Sequence, residues 1–330
     1  MLFRVPHYYD DFKCTADKCS DNCCVGWEID IDEQTDAFYK TVGGSLGERL
    51  RQDIIRDGVP HFRLMGNRCA FLNERNLCDI IATLGDEKLC HICREHPRYY
   101  NRYENLIEGG VGLSCEAAAR LILTDPSPLY VTEKHIEDEY TATDKELFSL
   151  LYTAREEILK TAAEEKPFGK KAAVLLDFAE RLQENIDNNI LALPVLQNTE
   201  PATVGDIKGI TEFLLTLDFL EEENRELLLS SEQNKIKRQE KFLTNIFIYF
   251  IRRYFLNGVF SGEILSYVKF AVSAAAVIAR IAENDSLPAF IYAAKKFSKE
   301  FEYSDINLEK ILDATYDCPS FSTENLKALF

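Results

Sequence analysis

The stretch Cys14-Thr-Ala-Asp-Lys-Cys19-Ser-Asp-Asn-Cys23-Cys24 carries four thiols in eleven residues. Asp, Ser and Asn fill its gaps, so it reads as a turn-rich loop that presents sulfur. Cys69, Cys78, Cys90, Cys93 and Cys115 follow, and only Cys318 lies beyond them. Nine of ten cysteines thus fall within the first 115 residues of a 330-residue chain. Thiolates bind soft and borderline metals, and four of them complete a tetrahedral zinc site or an iron–sulfur cluster. Ligands scattered over a hundred residues can also hold together a region whose own core is thin. The stretch therefore predicts an N-terminal α+β, cysteine-rich metal-binding domain.

The spacing narrows the metal. Cys-x4-Cys-x3-Cys-Cys lacks the doubled Cys-x2-Cys knuckle of a zinc ribbon, and only Cys90 and Cys93 have that form. The adjacent Cys23 and Cys24 are awkward ligands for one ion. Each is easier to satisfy if it serves a different iron or a different site. The reading favours an iron–sulfur cluster, with zinc as the alternative metal. Cys90 reads either as a ligand or as a buried core thiol, and Cys318, beside Pro319, as an ordinary core thiol.

Composition excludes several classes. The net charge is −17, so a nucleic-acid backbone is repelled on average, while a basic protein substrate is attracted. The first ten residues lack the basic head and apolar run of a secretory signal. The most apolar region, 242–281, is interrupted by Arg252, Arg253, Glu263, Lys269 and Arg280 and falls short of a membrane span. A cytoplasmic location is expected, and there clustered thiols favour metal or catalysis over disulfides.

Along the chain, residues 1–13 read as a lead-in and 25–32 as an extended segment. Helices are expected at 34–39 and 46–56, short strands from 59 to 73, and a hairpin over 69–78 turning at 74–76. Helices at 79–84 and 87–95 end before Pro97. Residues 106–111 are extended, and Gly109-Gly-Val-Gly112 reads as a turn. A helix starts at Cys115 with Ser114 as its N-cap. Asp125-Pro-Ser-Pro marks a boundary between a domain at 1–124 and an all-α helical domain at 125–330, so the whole is mainly α. Apolar periodicity places its helices at 144–164, 170–185, 207–220, 224–229, 239–256, 263–282, 288–302 and 306–314. The acidic runs 137–139 and 221–223 read as solvated faces.

At these residues the chain resembles a known family. Phe12-Lys-Cys14, Cys19, Cys23-Cys24-Val-Gly-Trp27-Glu-Ile-Asp30, Cys69-Ala-Phe-Leu with Cys78, Cys93-Arg-Glu-His-Pro97-Arg98 and Ser114-Cys115-Glu-Ala-Ala resemble the flagellin lysine-N-methylases. That family is related to cysteine-cluster proteins described as zinc or iron chelators. The segment 245–255 is similar to the same family. The resemblance implies methyl transfer from S-adenosylmethionine to lysines of flagellin or another protein. It also implies one or two clusters of the [4Fe-4S] type. Carried over residue by residue, the ligands are Cys14, Cys19, Cys23, Cys24, Cys69, Cys78, Cys93 and Cys115; Cys90 departs from the pattern.

Lysine methylation needs a neutral amine, whereas a free lysine titrates near ~10.4. A site must therefore desolvate the amine or supply a base. Tyr99, Tyr100 and Tyr103 stand beside a ligand candidate but read first as packing, as does Trp27. His91 and His96 flank Cys93 and read as helix-end surface residues. No Gly-x-Gly-x-x-Gly follows a strand, so a Rossmann-type donor site is not expected. No catalytic or donor-binding residue is assigned. The alternative reading is a non-enzymatic metal-binding protein with a helical interaction domain.

Overall fold

The computed structural model describes every residue except Asp21, Tyr140 and Arg238, and Glu232 by its backbone alone. The strands are β1 (Leu2–Pro6), β2 (Ile54–Ile55), β3 (His61–Phe62), β4 (Leu64–Met65), β5 (Arg68–Cys69), β6 (Arg98–Tyr103), β7 (Leu106–Val111) and β8 (Val131–His135). The early helices are α1 (Glu33–Thr41), α2 (Gly44–Gln52), α3 (Asp79–Leu84), α4 (His91–Glu95) and α5 (Glu116–Thr124). The later ones are α6 (Lys145–Ala162), α7 (Phe168–Asp187), α8 (Lys208–Leu214), α9 (Glu222–Ser230), α10 (Glu240–Tyr254), α11 (Gly258–Ser261), α12 (Leu265–Ile281), α13 (Leu287–Phe297), α14 (Asp305–Asp317) and α15 (Thr323–Lys327). The chain is mainly α.

Buried apolar residues form two clusters. The smaller runs from Ile29 to Cys90 and packs Tyr39, Leu50, Phe62, Phe71 and Ile80 beneath the cysteine segments. The larger is built mostly from α5 to α15 and also takes in Val5, Tyr9 and Phe12. In α12 every residue from Val268 to Ile281 is buried, the pattern of a helix surrounded on all sides. Its charges are paired inside: Lys269 donates to the Thr315 carbonyl at 2.7 Å, and Arg280 donates to Ser231 and Thr211. No described helix is long and apolar enough to cross a membrane.

The sheet departs from expectation. Residues 2–6 are not a lead-in: β1 lies inside a four-stranded sheet of order β6-β7-β1-β8. It pairs parallel with β7, Leu2 opposite Leu106, and antiparallel with β8. Of the glycines expected to turn, Gly109 and Gly110 are strand residues of β7 and Gly112 follows its end. Gly110 lies opposite Tyr99, and a Cβ built there would stand 2.4 Å from the tyrosine hydroxyl. They are small so that tyrosines can lie across β7.

Smaller corrections have local causes. The helix expected to reach residue 56 stops at Gln52, because 54–55 pair with β3. Segment 25–32 makes only isolated bridges, at Val25 and Asp30. In 69–78 only Leu72 bridges Cys78, since β5 pairs with β4 instead. The helix expected over 87–95 is a 3-10 turn followed by α4. Cys115, not Ser114, holds the N-cap position of α5, and the Ser114 hydroxyl is buried without a partner. Glu221 is no solvated acid: it accepts from Lys299 at 2.7 Å and Lys296 at 3.1 Å.

Candidate metal centre

The cysteine loop is held by backbone bonds to the β4–β5 hairpin. The Cys24 carbonyl accepts from Cys69 N–H at 2.9 Å, and Gly26 N–H donates to Asn67 at 2.7 Å. Gly26 takes φ +89°, a turn that favours glycine. The Asn22 side chain accepts from Cys24 N–H at 2.9 Å, closing an Asx turn beside the paired cysteines. Cys78, Cys90 and Cys115 occupy the N-cap positions of α3, α4 and α5, and Cys93 lies one turn into α4.

Through these elements the thiols sort into two sets. Cys24, Cys69, Cys78, Cys90 and Cys93 act on one another electrostatically. Cys115 interacts instead with Cys23 and Cys19. Cys14 is exposed on the same loop as Cys19, its sulfur accepting from Ala16 N–H at 3.4 Å. Cys23 and Cys24, adjacent in sequence and hydrogen-bonded to each other, are where the two sets meet. Cys90, which the family pattern leaves out, is fully buried within the first set. Its Cys-x2-Cys spacing to Cys93 was the only signal for it.

Without metal, most of these thiols resist ionisation. Burial pushes Cys69 and Cys115 each up to about 11, and backbone N–H groups oppose the shift only partly. Cys24 is raised by its hydrogen bond with Cys23, then by burial and by Cys69 and Cys78. Cys93 and Cys90 share a hydrogen bond that raises the first and lowers the second. Crowded, desolvated thiols of this kind are made thiolates by a cation. Among the described residues no three sulfurs lie within 4.8 Å of one another. One zinc with ~2.3 Å bonds would hold its four sulfurs roughly 3.8 Å apart. The described group that does converge is Glu28, Asp30 and His61, two of them exposed.

Side chains from the helices clamp the loop. Glu116, next to Cys115, accepts from Ser20 N–H at 3.0 Å and Ser20 Oγ at 2.6 Å and lies 3.9 Å from Cys19 Sγ. Trp27 stacks on Tyr303 at 5.8 Å, with the Lys299 ammonium 5.7 Å from its ring. His96 packs edge-on against both rings. It is not a surface histidine: burial and then Arg253 lower it to about 4, and its Nε2 has no partner. His91 is exposed, and its N–H donates to Asp32. Tyr103 is buried and donates to Asn257 at 2.7 Å, Tyr99 lies under Arg253 at 4.4 Å, and Tyr100 is bonded to Tyr9 at 2.7 Å.

Gly112 gives this junction a test. A Cβ there would stand 1.9 Å from the Tyr303 hydroxyl. Gly112→Ala is expected to push Tyr303 off Trp27 and cost about 1–3 kcal/mol. Trp27 is the only tryptophan, so urea titration followed by its fluorescence reads both the loss of stability and the changed native environment.

Fold and thiols together define a helical protein with a cysteine cluster at its N-terminal side. Three curated Salmonella proteins are similar to it. The flagellar biosynthetic protein FliU of Salmonella muenchen is 30% identical over 138 residues, covering 39% of this chain and 81% of FliU. Lysine-N-methylases of Salmonella choleraesuis (strain SC-B67) and Salmonella typhimurium are each 30% identical over 140 residues, covering 40% of this chain. The matched part is 35% of the length of either methylase. No family model matches the chain, and no solved structure does. The chain belongs to the flagellin lysine-N-methylase family.

Proposed function

We propose that the chain is a protein-lysine N-methyltransferase that uses S-adenosylmethionine and holds iron–sulfur clusters on its two thiol sets. The observation that supports the reading is that nine thiols gather around the Cys23–Cys24 pair, Cys69, Cys78, Cys90 and Cys93 on the side of Cys24 and Cys19 and Cys115 on the side of Cys23, with Cys14 on the same loop. Cys24, Cys69, Cys78 and Cys93 would hold one cluster, with Cys90 beside them. Cys14, Cys19, Cys23 and Cys115 would hold the other. When bound, such clusters supply electron-rich metal sites whose properties follow their hydrogen bonds and burial. Cys69 and Cys90 are buried, so the cluster they would adjoin would be the less exposed to water, whereas Cys14 is exposed. Membership of the family supports a lysine of flagellin, or of another protein, as the methyl acceptor.

Anaerobically purified protein is expected to be brown, to contain iron and sulfide, and to transfer labelled methyl from S-adenosylmethionine to flagellin. Colourless protein holding zinc alone would overturn the clusters, and loaded protein without transfer would overturn the activity. A second reading, a non-catalytic metal-binding protein, is favoured by one observation: the matched part is only 35% of either methylase. It expects metal without methyl transfer.

A further inference from the structure

Trp27 is followed by Glu28-Ile-Asp30-Ile31, in which acids alternate with isoleucines. In an extended segment such alternation sends the two kinds of side chain to opposite faces. Ile29 and Ile31 are buried in the smaller core, so Glu28 and Asp30 share the outer face. His61 of β3 completes that face. Asp30 bridges His61 in antiparallel register, Ile31 N–H donates to the Pro60 carbonyl at 2.6 Å, and Phe62 N–H donates to the Ile29 carbonyl at 3.1 Å. The backbone thus sets one histidine and two carboxylates side by side on a base anchored in the core.

The three side chains converge. One ligand atom from each lies within 4.8 Å of the other two, and His61 Nε2 is 3.6 Å from a Glu28 oxygen. Ligands on one ion, with bonds of ~2.1 Å, stand roughly 3.0–3.4 Å apart, so small side-chain rotations close the site. The histidine is already set for it. Its Nδ1 lies 2.9 Å from the Val59 carbonyl, which can only accept, so Nδ1 carries the proton and Nε2 turns its lone pair toward the acids. A carbonyl on the far nitrogen is also the usual outer partner of a metal-bound histidine. A lone pair aimed at two carboxylates calls for a cation between them. Among the described residues His61 is the only ion-pair partner of Glu28, and Asp30 has none. A proton on Nε2 could serve one acid; a metal ion serves both.

We propose that Glu28, Asp30 and His61 bind one divalent metal ion, separate from the cysteine cluster, with water completing its coordination. One imidazole and two carboxylates suit an ion such as manganese(II), whereas thiolates select zinc and iron–sulfur clusters. The ion would tie the segment after Trp27 to β3, a cross-link within the part of the chain that has the smaller core. The site does not depend on the methyltransferase reading.

The test is manganese(II) binding to the anaerobically purified full chain, the metal it already holds being counted first and free manganese followed by electron paramagnetic resonance. Thiolates compete poorly for this ion, so the cysteines do not obscure the result. Wild type is expected to take up one manganese ion per chain, with a nitrogen coupling from His61 in its spin-echo spectrum. Asp30→Asn and Glu28→Gln should each bind at least about tenfold more weakly, and His61→Gln should lose the nitrogen coupling as well. Neutralising the exposed Asp10 and Asp11 as asparagines should change nothing. Asp30 is exposed, so Asp30→Asn is expected to melt with the wild type when no manganese is added. Added manganese should then raise the Tm of wild type and leave that of Asp30→Asn in place. No uptake at millimolar manganese, or equal affinity of wild type and Asp30→Asn, would overturn the site. So would bound manganese without nitrogen coupling, since His61 would then not be a ligand.

Discussion

Anaerobic Cys24→Ser protein is expected to keep about half the iron of the wild type, and Cys23→Ser the other half. In the proposed arrangement each substitution would remove a ligand from only one cluster, Cys24 lying beside Cys69 and Cys78 as well as Cys23, and Cys23 beside Cys115. With four irons in each cluster, either variant should fall from roughly eight to roughly four irons per chain. The double variant should be colourless. Cys90→Ser should keep its full iron content, since in the proposed arrangement Cys24, Cys69, Cys78 and Cys93 would supply four thiolates. Iron and acid-labile sulfide per chain, measured on anaerobic protein, decide between the outcomes. Loss of all iron from either single variant would show a single shared centre instead.

Glu108→Ala is expected to destabilise the fold by about 3–5 kcal/mol, the usual effect of stripping one partner from a buried ion pair. Arg155 is 0% exposed, and its guanidinium donates to both carboxylate oxygens of Glu108, one bond being 2.8 Å. Arg4 approaches the same carboxylate at 3.7 Å. Glu108 lies on β7 and Arg155 on α6, so the pair joins sheet to helices. Replacing both, as Glu108→Leu with Arg155→Met, should recover most of the loss, because no charge is then left buried alone. Burial raises the Glu108 carboxyl, but the charge and hydrogen bonds of Arg155 outweigh it and hold it below its ordinary value. Its contribution is therefore complete above the unfolded carboxylate range, near ~4.3. It is lost as pH falls from there through the lower folded value. Urea midpoints of wild type and Glu108→Ala should differ at neutral pH and converge at acid pH.

The helices were legible because their signals are local. Leu147, Leu150, Leu151 and Ile158 mark one face of α6, and its boundaries fall within two residues of the expected ones. Strand β1 was not legible, because Leu2–Pro6 carries no alternation and its partner lies a hundred residues away. Gly109 and Gly110 misled for a related reason: a glycine that makes room for a tyrosine on the next strand looks like one that makes a turn. Glu221 looked solvated because its neighbours in sequence are acids, while Lys296 and Lys299 reach it from α13 and the turn after it. The cysteines announced themselves by number. Their division into two sets needed the fold, since spacing alone says nothing of which thiol each helix start carries.

Strand β1 lies next to β7, and the chain re-enters the sheet with β6 at Arg98, so residues 7–97 leave the sheet and return to it as one excursion. During synthesis the first strand must wait, unpaired, for a neighbour made about a hundred residues later. Closing a loop of that length costs on the order of 4 kcal/mol in chain entropy. All the cysteines from Cys14 to Cys93 lie within the excursion. Whatever gathers them acts as a cross-link that shortens the open chain before the sheet zips. Gathering the sulfurs would therefore shorten the path by which β1 reaches β7.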